Sequence, residues 1–125
     1  MVPLFDDDPG GTIVPELTIF AGVPSGVGNA AGIVAAASFR FPSGVAVDKA
    51  GNVFVADTGN STIRKISTSG VVTTIVGVAA PVSAGNFPGP LPASIVSPVG
   101  VAIDSSTGKL YITLHDAVMV ADLPK

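Results

Sequence analysis

Cysteine is absent from this 125-residue chain, so neither a disulfide nor a thiolate metal site can form. The absence assigns no compartment, because reducing and secreted environments both hold proteins without cysteine. Charge is also scarce. Asp, Glu, Lys and Arg make up 12% of the residues, against ~25% in a typical soluble domain. The shortfall predicts that surface ordinarily given to water is buried against another chain. Six basic against nine acidic residues leave a net charge of −3, which does not supply the basic face a nucleic-acid partner needs. Long apolar runs are missing too. The longest candidate, residues 30–37, is Gly/Ala-rich and falls well short of the ~20 residues that span a bilayer. No nucleic-acid partner and no membrane association are therefore expected. The first residues, MVPLFDDDPGG, carry three Asp and no cationic segment, so they do not read as a signal peptide. Nothing in the composition fixes localisation.

What is present is a series of short β-branched runs separated by Gly, Asn, Asp and Ser. Residues 41–78 hold four of them. Val45-Ala46-Val47 is the first, and Asp48-Lys49-Ala50-Gly51-Asn52 turns the chain. Residues 53–56 follow, then Asp57-Thr58-Gly59-Asn60, then 62–67, Thr68-Ser69-Gly70 and 72–76. This spacing predicts a four-stranded antiparallel meander. Pro98-Val99-Gly100-Val101-Ala102-Ile103-Asp104 then repeats Pro42-Ser43-Gly44-Val45-Ala46-Val47-Asp48 at an offset of 56 residues. Gly108-Lys109-Leu110-Tyr111-Ile112 repeats Gly51-Asn52-Val53-Phe54-Val55 with one residue inserted at the turn, and a third strand follows over 115–122. Such self-similarity marks a repeat architecture.

The motifs Pro42-Ser43-Gly44-Val45-Ala46-Val47-Asp48, Gly51-Asn52-Val53-Phe54-Val55-Ala56-Asp57-Thr58-Gly59-Asn60 and Ile63-Arg64-Lys65-Ile66 resemble the NHL repeat. That repeat is the blade unit of the NHL β-propellers. The resemblance implies an all-β fold built from β-propeller blades of four antiparallel strands, two blades per chain. Residues 1–15 read as a flexible tail, and residues 16–23 as a fourth strand without its blade, matching Thr74-Ile75-Val76-Gly77-Val78. Residues 41–78 form a complete blade and 98–122 a three-stranded one. The connectors, 24–40 and 79–97, correspond to the junction where such propellers carry extended loops on one face. A protein or small-ligand partner is expected on that connector face. Residues 30–38 are rich enough in Ala to permit one or two helical turns.

The core is expected from Val45, Val47, Val53, Val55, Ile63, Ile66, Ile75, Val101, Ile103, Leu110, Ile112 and Val118. Gly44 and Gly100 are expected to mark where first strands crowd the ring axis, since a missing side chain lets backbones approach closely. Phe54 and Tyr111, at equivalent positions, are expected to pack between blades.

Candidate chemistry is thin. His115 is the one histidine, with Asp116 beside it. The pair offers acid–base chemistry, but metal-dependent propeller lyases gather several His and this chain has one. Asp57, Asn60 and Ser61 read as turn residues, with Gly59 taking positive φ. Asp6, Asp7 and Asp8 are adjacent rather than spaced around a turn as in a calcium loop, so they read as a solvated arm. Arg40, Arg64 and Lys65 are the clustered cations, and no aromatic platform accompanies them. No catalytic residue, cofactor site or metal site is assigned, and the expectation is a non-enzymatic scaffold. The alternatives are a fragment of a larger propeller lyase or esterase and a subunit of an open filament.

Two blades cannot cover their own outer faces, and repeat arrays usually need at least about three units. Pairing Leu17, Thr18, Ile19, Phe20 and Ala21 of one chain with Val118, Met119, Val120 and Ala121 of a neighbour satisfies both open edges. This head-to-tail contact predicts a homo-oligomeric ring, with a trimer favoured over a tetramer or an open filament.

Overall fold

The structure, a computed structural model, describes residues 15–22, 28, 30–78, 86 and 89–123. The expected tail over 1–14 lies outside the described residues. The strands are β1 (Gly32–Ile33), β2 (Pro42–Val47), β3 (Val53–Asp57), β4 (Thr62–Ile66), β5 (Val71–Val76), β6 (Gly100–Asp104), β7 (Lys109–Thr113) and β8 (Val118–Asp122). Among the described residues the helical content is one 3-10 turn, Thr58–Asn60. The chain is all-β and every strand pair is antiparallel.

Two sheets result. The first runs β1-β5-β4-β3-β2 and the second β6-β7-β8. The meander follows from the turns. In the β2–β3 turn, Asp48 Oδ1 accepts the backbone N–H of Ala50 at 3.0 Å and of Asn52 at 2.9 Å, so the carboxylate does the work of a backbone turn. Asp104 repeats this after β6, accepting the Ser106 N–H at 3.1 Å and its hydroxyl at 2.7 Å. The expected helical turns over 30–38 give way to β1 and a turn, because Gly32 and Ile33 pair with Val72 and Val71 on the outer edge of β5. The first blade thus has a fifth, two-residue strand contributed by the connector.

Alternation along each strand sends apolar side chains to both faces of the first sheet. One face carries Phe54, Ala56, Ile63 and Val76, which pack with Leu110, Ile112, Leu114 and Ala121 of the second sheet. Ile95, from the second connector, closes this core and is buried. The other face carries Val55, Ile66 and Val72 and is covered by Ala37, with Ala21, Val34 and Phe39 at its margin. Near the inner edge the sheets approach closely at Gly44, where a Cβ would sit 2.8 Å from the Val99 carbonyl oxygen and 3.1 Å from Gly100 Cα.

Of the expected core, Val55, Ile63, Ile66, Leu110 and Ile112 are buried, and Val53, Ile75, Val101 and Ile103 are half-buried. Val45, Val47 and Val118 are not core residues in the single chain, at 66%, 58% and 67% exposed. The cause is coverage. Val45 and Val47 stand on the edge strand β2, beyond the reach of the connector that covers β3, β4 and β5. Val118 faces away from the first blade on the edge strand β8. Tyr111, expected between blades, is likewise 41% exposed, whereas Phe54 is 2% exposed.

Ile112→Ala should lower unfolding free energy by ~3 kcal/mol in urea titration, because it opens a cavity between two sheets that cannot collapse independently. A pH dependence also follows. Slight burial opposes the charge of Asp48, yet the Asn52 side chain and the turn N–H groups hold its carboxyl below the ordinary 3.8. The Ser106 hydroxyl and N–H do the same for Asp104. Folded values below the unfolded one mean stabilisation that is full above pH 3.8 and lost as pH falls through the folded values. The urea midpoint of an Asp48→Asn/Asp104→Asn chain should therefore fall less on acidification than that of the parent.

Candidate functional site

The residues expected to meet across chains lie on the edge strand β8 and in residues 17–21, and they are not paired with each other. β8 pairs with β7 on one side, from Lys109↔Asp122 to Thr113↔Val118, and no described strand lies on its other side. Along it Val118 and Val120 are exposed, Met119 is half-buried, and Ala121 is buried against the first blade. Residues 15–20 form no strand in the single chain, and Leu17, Ile19 and Phe20 are 99%, 64% and 64% exposed. Ala21 turns inward to the margin of the second core. The chain does not pair its own 17–21 with 118–121.

The end of this segment is built like the end of β5. Gly22 and Gly77 both have positive φ, +100° and +88°. The Gly22 N–H donates to the Val34 carbonyl at 3.0 Å, and the Gly77 N–H donates to the Pro92 carbonyl at 2.6 Å. Each hydrogen bond closes a connector back onto the strand it leaves. The connectors also end alike. Phe41 and Ser97, 56 positions apart, both hold the left-handed conformation, at φ 50° and 48°. Residues 15–22 thus end at a positive-φ glycine with a connector hydrogen bond, as β5 does.

Both connectors dock on one turn, residues 57–61. From the first, the Arg40 N–H donates to Asp57 Oδ1 at 2.8 Å, and the Gly59 N–H donates to the Arg40 carbonyl at 2.8 Å. From the second, the Ser97 N–H donates to the Ser61 hydroxyl at 3.1 Å, and the Thr58 hydroxyl donates to the Pro98 carbonyl at 2.5 Å. The reading of Gly59 needs correction. The positive φ falls on Ser61, at 56°. Gly59 is required because a Cβ there would collide with the Arg40 side chain and lie 2.7 Å from its carbonyl oxygen.

Beneath this turn lies an ion pair that the residue pattern alone did not reveal. Arg64 and Asp57 are both fully buried, with Nη1 donating to Oδ2 at 3.1 Å. The Asn60 amide donates to the same oxygen at 2.8 Å and to the Gly28 carbonyl at 2.5 Å. Arg64 also donates to the Ser38 carbonyl at 2.9 Å and the Ala30 carbonyl at 2.8 Å, and the Phe39 ring lies 5.0 Å from its guanidinium carbon. A buried charge is tolerated when it is paired and hydrogen-bonded in this way. The signal available in sequence was an Asp and an Arg seven residues apart on one hairpin. Arg64 is therefore no part of a basic surface, and the cluster Arg40, Arg64 and Lys65 does not assemble.

His115 and Asp116 are exposed in the β7–β8 turn. Among the described residues no three His, Asp or Glu side chains gather as metal ligands, and no helix is long and apolar enough to cross a membrane. A groove of about 590 Å³ opens between the blades at the other end of β3, lined by Asp48, Lys49, Phe54, Lys65, Ile103 and Ser105 among others. A smaller hollow of about 70 Å³ runs along β8 between Met119, Val120 and Ala121 and the second connector's Gly89, Leu91 and Ala93.

Asp57→Ala leaves the Arg64 charge buried without its counter-ion and should cost about 3–5 kcal/mol by urea denaturation. Asp122→Ala breaks the exposed 2.7 Å pair with Lys109 and should change stability by less than about 1 kcal/mol.

Comparison with known proteins agrees with this geometry. Residues 39–66 match the model of the NHL repeat. No curated protein sequence matches the chain. A solved protein of unknown function from Bacteroides thetaiotaomicron VPI-5482 superposes with a TM-score of 0.67 at 27% identity, over 74% of this chain and 23% of that one. An auxiliary nutrient binding protein from the same organism gives 0.64 at 21% identity, over 74% of this chain and 25% of its own, a likeness of fold alone. The chain spans about a quarter of the length of these two structures. Residues 39–66, which carry β2, β3, β4 and the Asp57–Arg64 ion pair, are the part of the chain that is similar to an NHL repeat.

Proposed function

We propose that this chain is a non-enzymatic binding scaffold whose NHL-type blades are completed between copies. Residues 17–21 of one copy add as the fourth strand beside residues 118–121 of the next. The carrying observation is a pair of complementary deficits. A segment that ends as β5 ends, at Gly22, has no blade, and β8 has no strand on its outer side. Main-chain pairing satisfies the open N–H and C=O groups of β8. The incoming strand lies along the outer edge of β8, in the place that β5 takes in the first blade between β4 and the connector strand β1. The contact is head-to-tail, so three copies give a six-bladed ring, ahead of four copies or an open filament.

A binding role rather than catalysis fits the chemistry at hand. His115 is solvent-exposed, and the buried Asp57–Arg64 pair is consumed in anchoring a connector. The partner face is the one built by the connectors on the 57–61 turn, for a protein or a small ligand. The auxiliary nutrient binding protein shares the fold, so blades of this kind have a precedent in binding. Ligand contacts mapped by chemical-shift perturbation to the groove beside Lys49 and Ser105 would reassign that face.

The solution mass tests the assembly. Light scattering at micromolar concentration should give a multiple of the 12.3 kDa chain, three being expected. A chain lacking residues 1–22 should remain folded by circular dichroism and lose that mass. A folded full-length monomer, or a truncated chain that still assembles fully, overturns strand donation.

A further inference from the structure

The two blades of one chain already form the contact that their outer faces lack. Inside the chain, the first blade presents Phe54, Ala56 and Ile63 to a second-blade surface that includes Val101, Ile103, Leu110 and Ile112. The repeat places each of these on the other blade as well. Val45 and Val47 precede Val101 and Ile103 by 56 residues. Their pairings agree, since Val45↔Val55 and Val47↔Val53 in the first blade match Val101↔Ile112 and Ile103↔Leu110 in the second. Tyr111 lies opposite Ala102 as Phe54 lies opposite Ala46. Val118 lies opposite Thr113 as Ile63 lies opposite Ala56.

Burial separates the equivalent positions. Phe54 and Ile63 are 2% and 0% exposed, while Tyr111 and Val118 are 41% and 67% exposed. The second blade's outer face therefore repeats the face that the first blade buries. The first blade's outer face repeats the one that receives it, with Val45 and Val47 left exposed beside the connector that covers Val55, Ile66 and Val72. A glycine makes the same point at the inner edge. Gly44 is needed because the backbone of Val99 and Gly100 approaches it. Gly100 stands at the same place in the second blade, yet a Cβ there would meet just the Thr113 hydroxyl, at 3.0 Å, and no backbone of another blade. Within the described chain its missing side chain makes room for the Thr113 hydroxyl alone, which accepts the Gly100 N–H at 2.8 Å.

We propose that the outer face of the second blade docks on the first blade of a second copy of this chain. Tyr111 and Val118 pack against that copy's Val45 and Val47, and the backbone of its Ser43 and Gly44 passes over Gly100. A second copy is the occupant because both halves of the joint are on the one chain, in the register that the internal joint already uses. The charges at this face, Lys109 and Asp122, neutralise each other, so the joint is apolar on both sides. This inference rests on the assembly proposed above and adds a face contact to the strand contact.

Since the chain has no cysteine, cross-linking reads the joint directly. Full-length Val47→Cys and full-length Tyr111→Cys are mixed and treated with a short bis-maleimide. A heterodimer should form in high yield, while Ser69→Cys in place of Val47→Cys gives background. Adding Gly100→Ala to the Tyr111→Cys chain should cut the yield severalfold, with circular dichroism showing that the chain is still folded. Cross-linking that persists when both chains lack residues 1–22 supports the face contact and removes strand donation alone. An assembled mass without cross-linking above the Ser69 background, or a Gly100→Ala chain that cross-links like its parent, overturns the face contact while leaving strand donation standing.

Discussion

A carboxylate with no access to water must be met on every side, and Asp57 is such a group. Its two oxygens take a backbone N–H from one connector, an amide from its own turn and a guanidinium from the neighbouring strand. Those demands fix the route of the chain before the first blade. Residues 28–40 must come back to the 57–61 turn, and in doing so they lay Ala37, Val34 and Phe39 over Val55, Ile66 and Val72. The second core thus depends on an electrostatic requirement rather than on the apolar attraction of its members. The edge strand β1 follows from the same path, since its two residues reach β5 while the connector returns.

Most of the strand pattern was legible in the sequence because period-two alternation and turn chemistry are local. Residues 42–47, 53–57, 62–66 and 71–76 are strands as their β-branched runs and Gly/Asn/Asp breaks imply. Coverage is not local. Val45, Val55 and Val118 carry the same side chain on the same kind of strand, and burial separates them according to which neighbour lies above. β1 was missed for a related reason: Gly32 and Ile33 have no strand signature, and their conformation is imposed by the edge they meet. Residues 17–21, which read as a fourth strand, form none in the single chain, whereas the edge strand β8 was legible. The ion pair was not, because Asp57 reads as an ordinary turn residue and Arg64 as an ordinary surface cation until both are found without solvent.

Repetition carries information beyond the strands. The left-handed residues Phe41 and Ser97 occupy equivalent positions although their side chains share nothing. The glycines at 22 and 77 close their connectors with equivalent hydrogen bonds although the loops differ in composition. Backbone geometry at the blade entrance and exit is therefore the constant, and side chains are fitted to it. The second blade departs in one respect. It has no counterpart to the Asp57–Arg64 pair, since Leu114 and Met119 stand at the equivalent positions, so its turn at 114–117 is free of that anchoring role.

The way Arg64 and Asn60 hold the first connector has a consequence for how the protein can change. They grip the carbonyl oxygens of Gly28, Ala30 and Ser38, groups that every amino acid possesses. The grip is blind to sequence. Outward side chains at positions such as Ala31, Ala35 and Ala36, all exposed, can be exchanged without touching any of these bonds. The connector is in this sense a fixed loop with an open alphabet, where new recognition chemistry can be written while the blade beneath it stays the same.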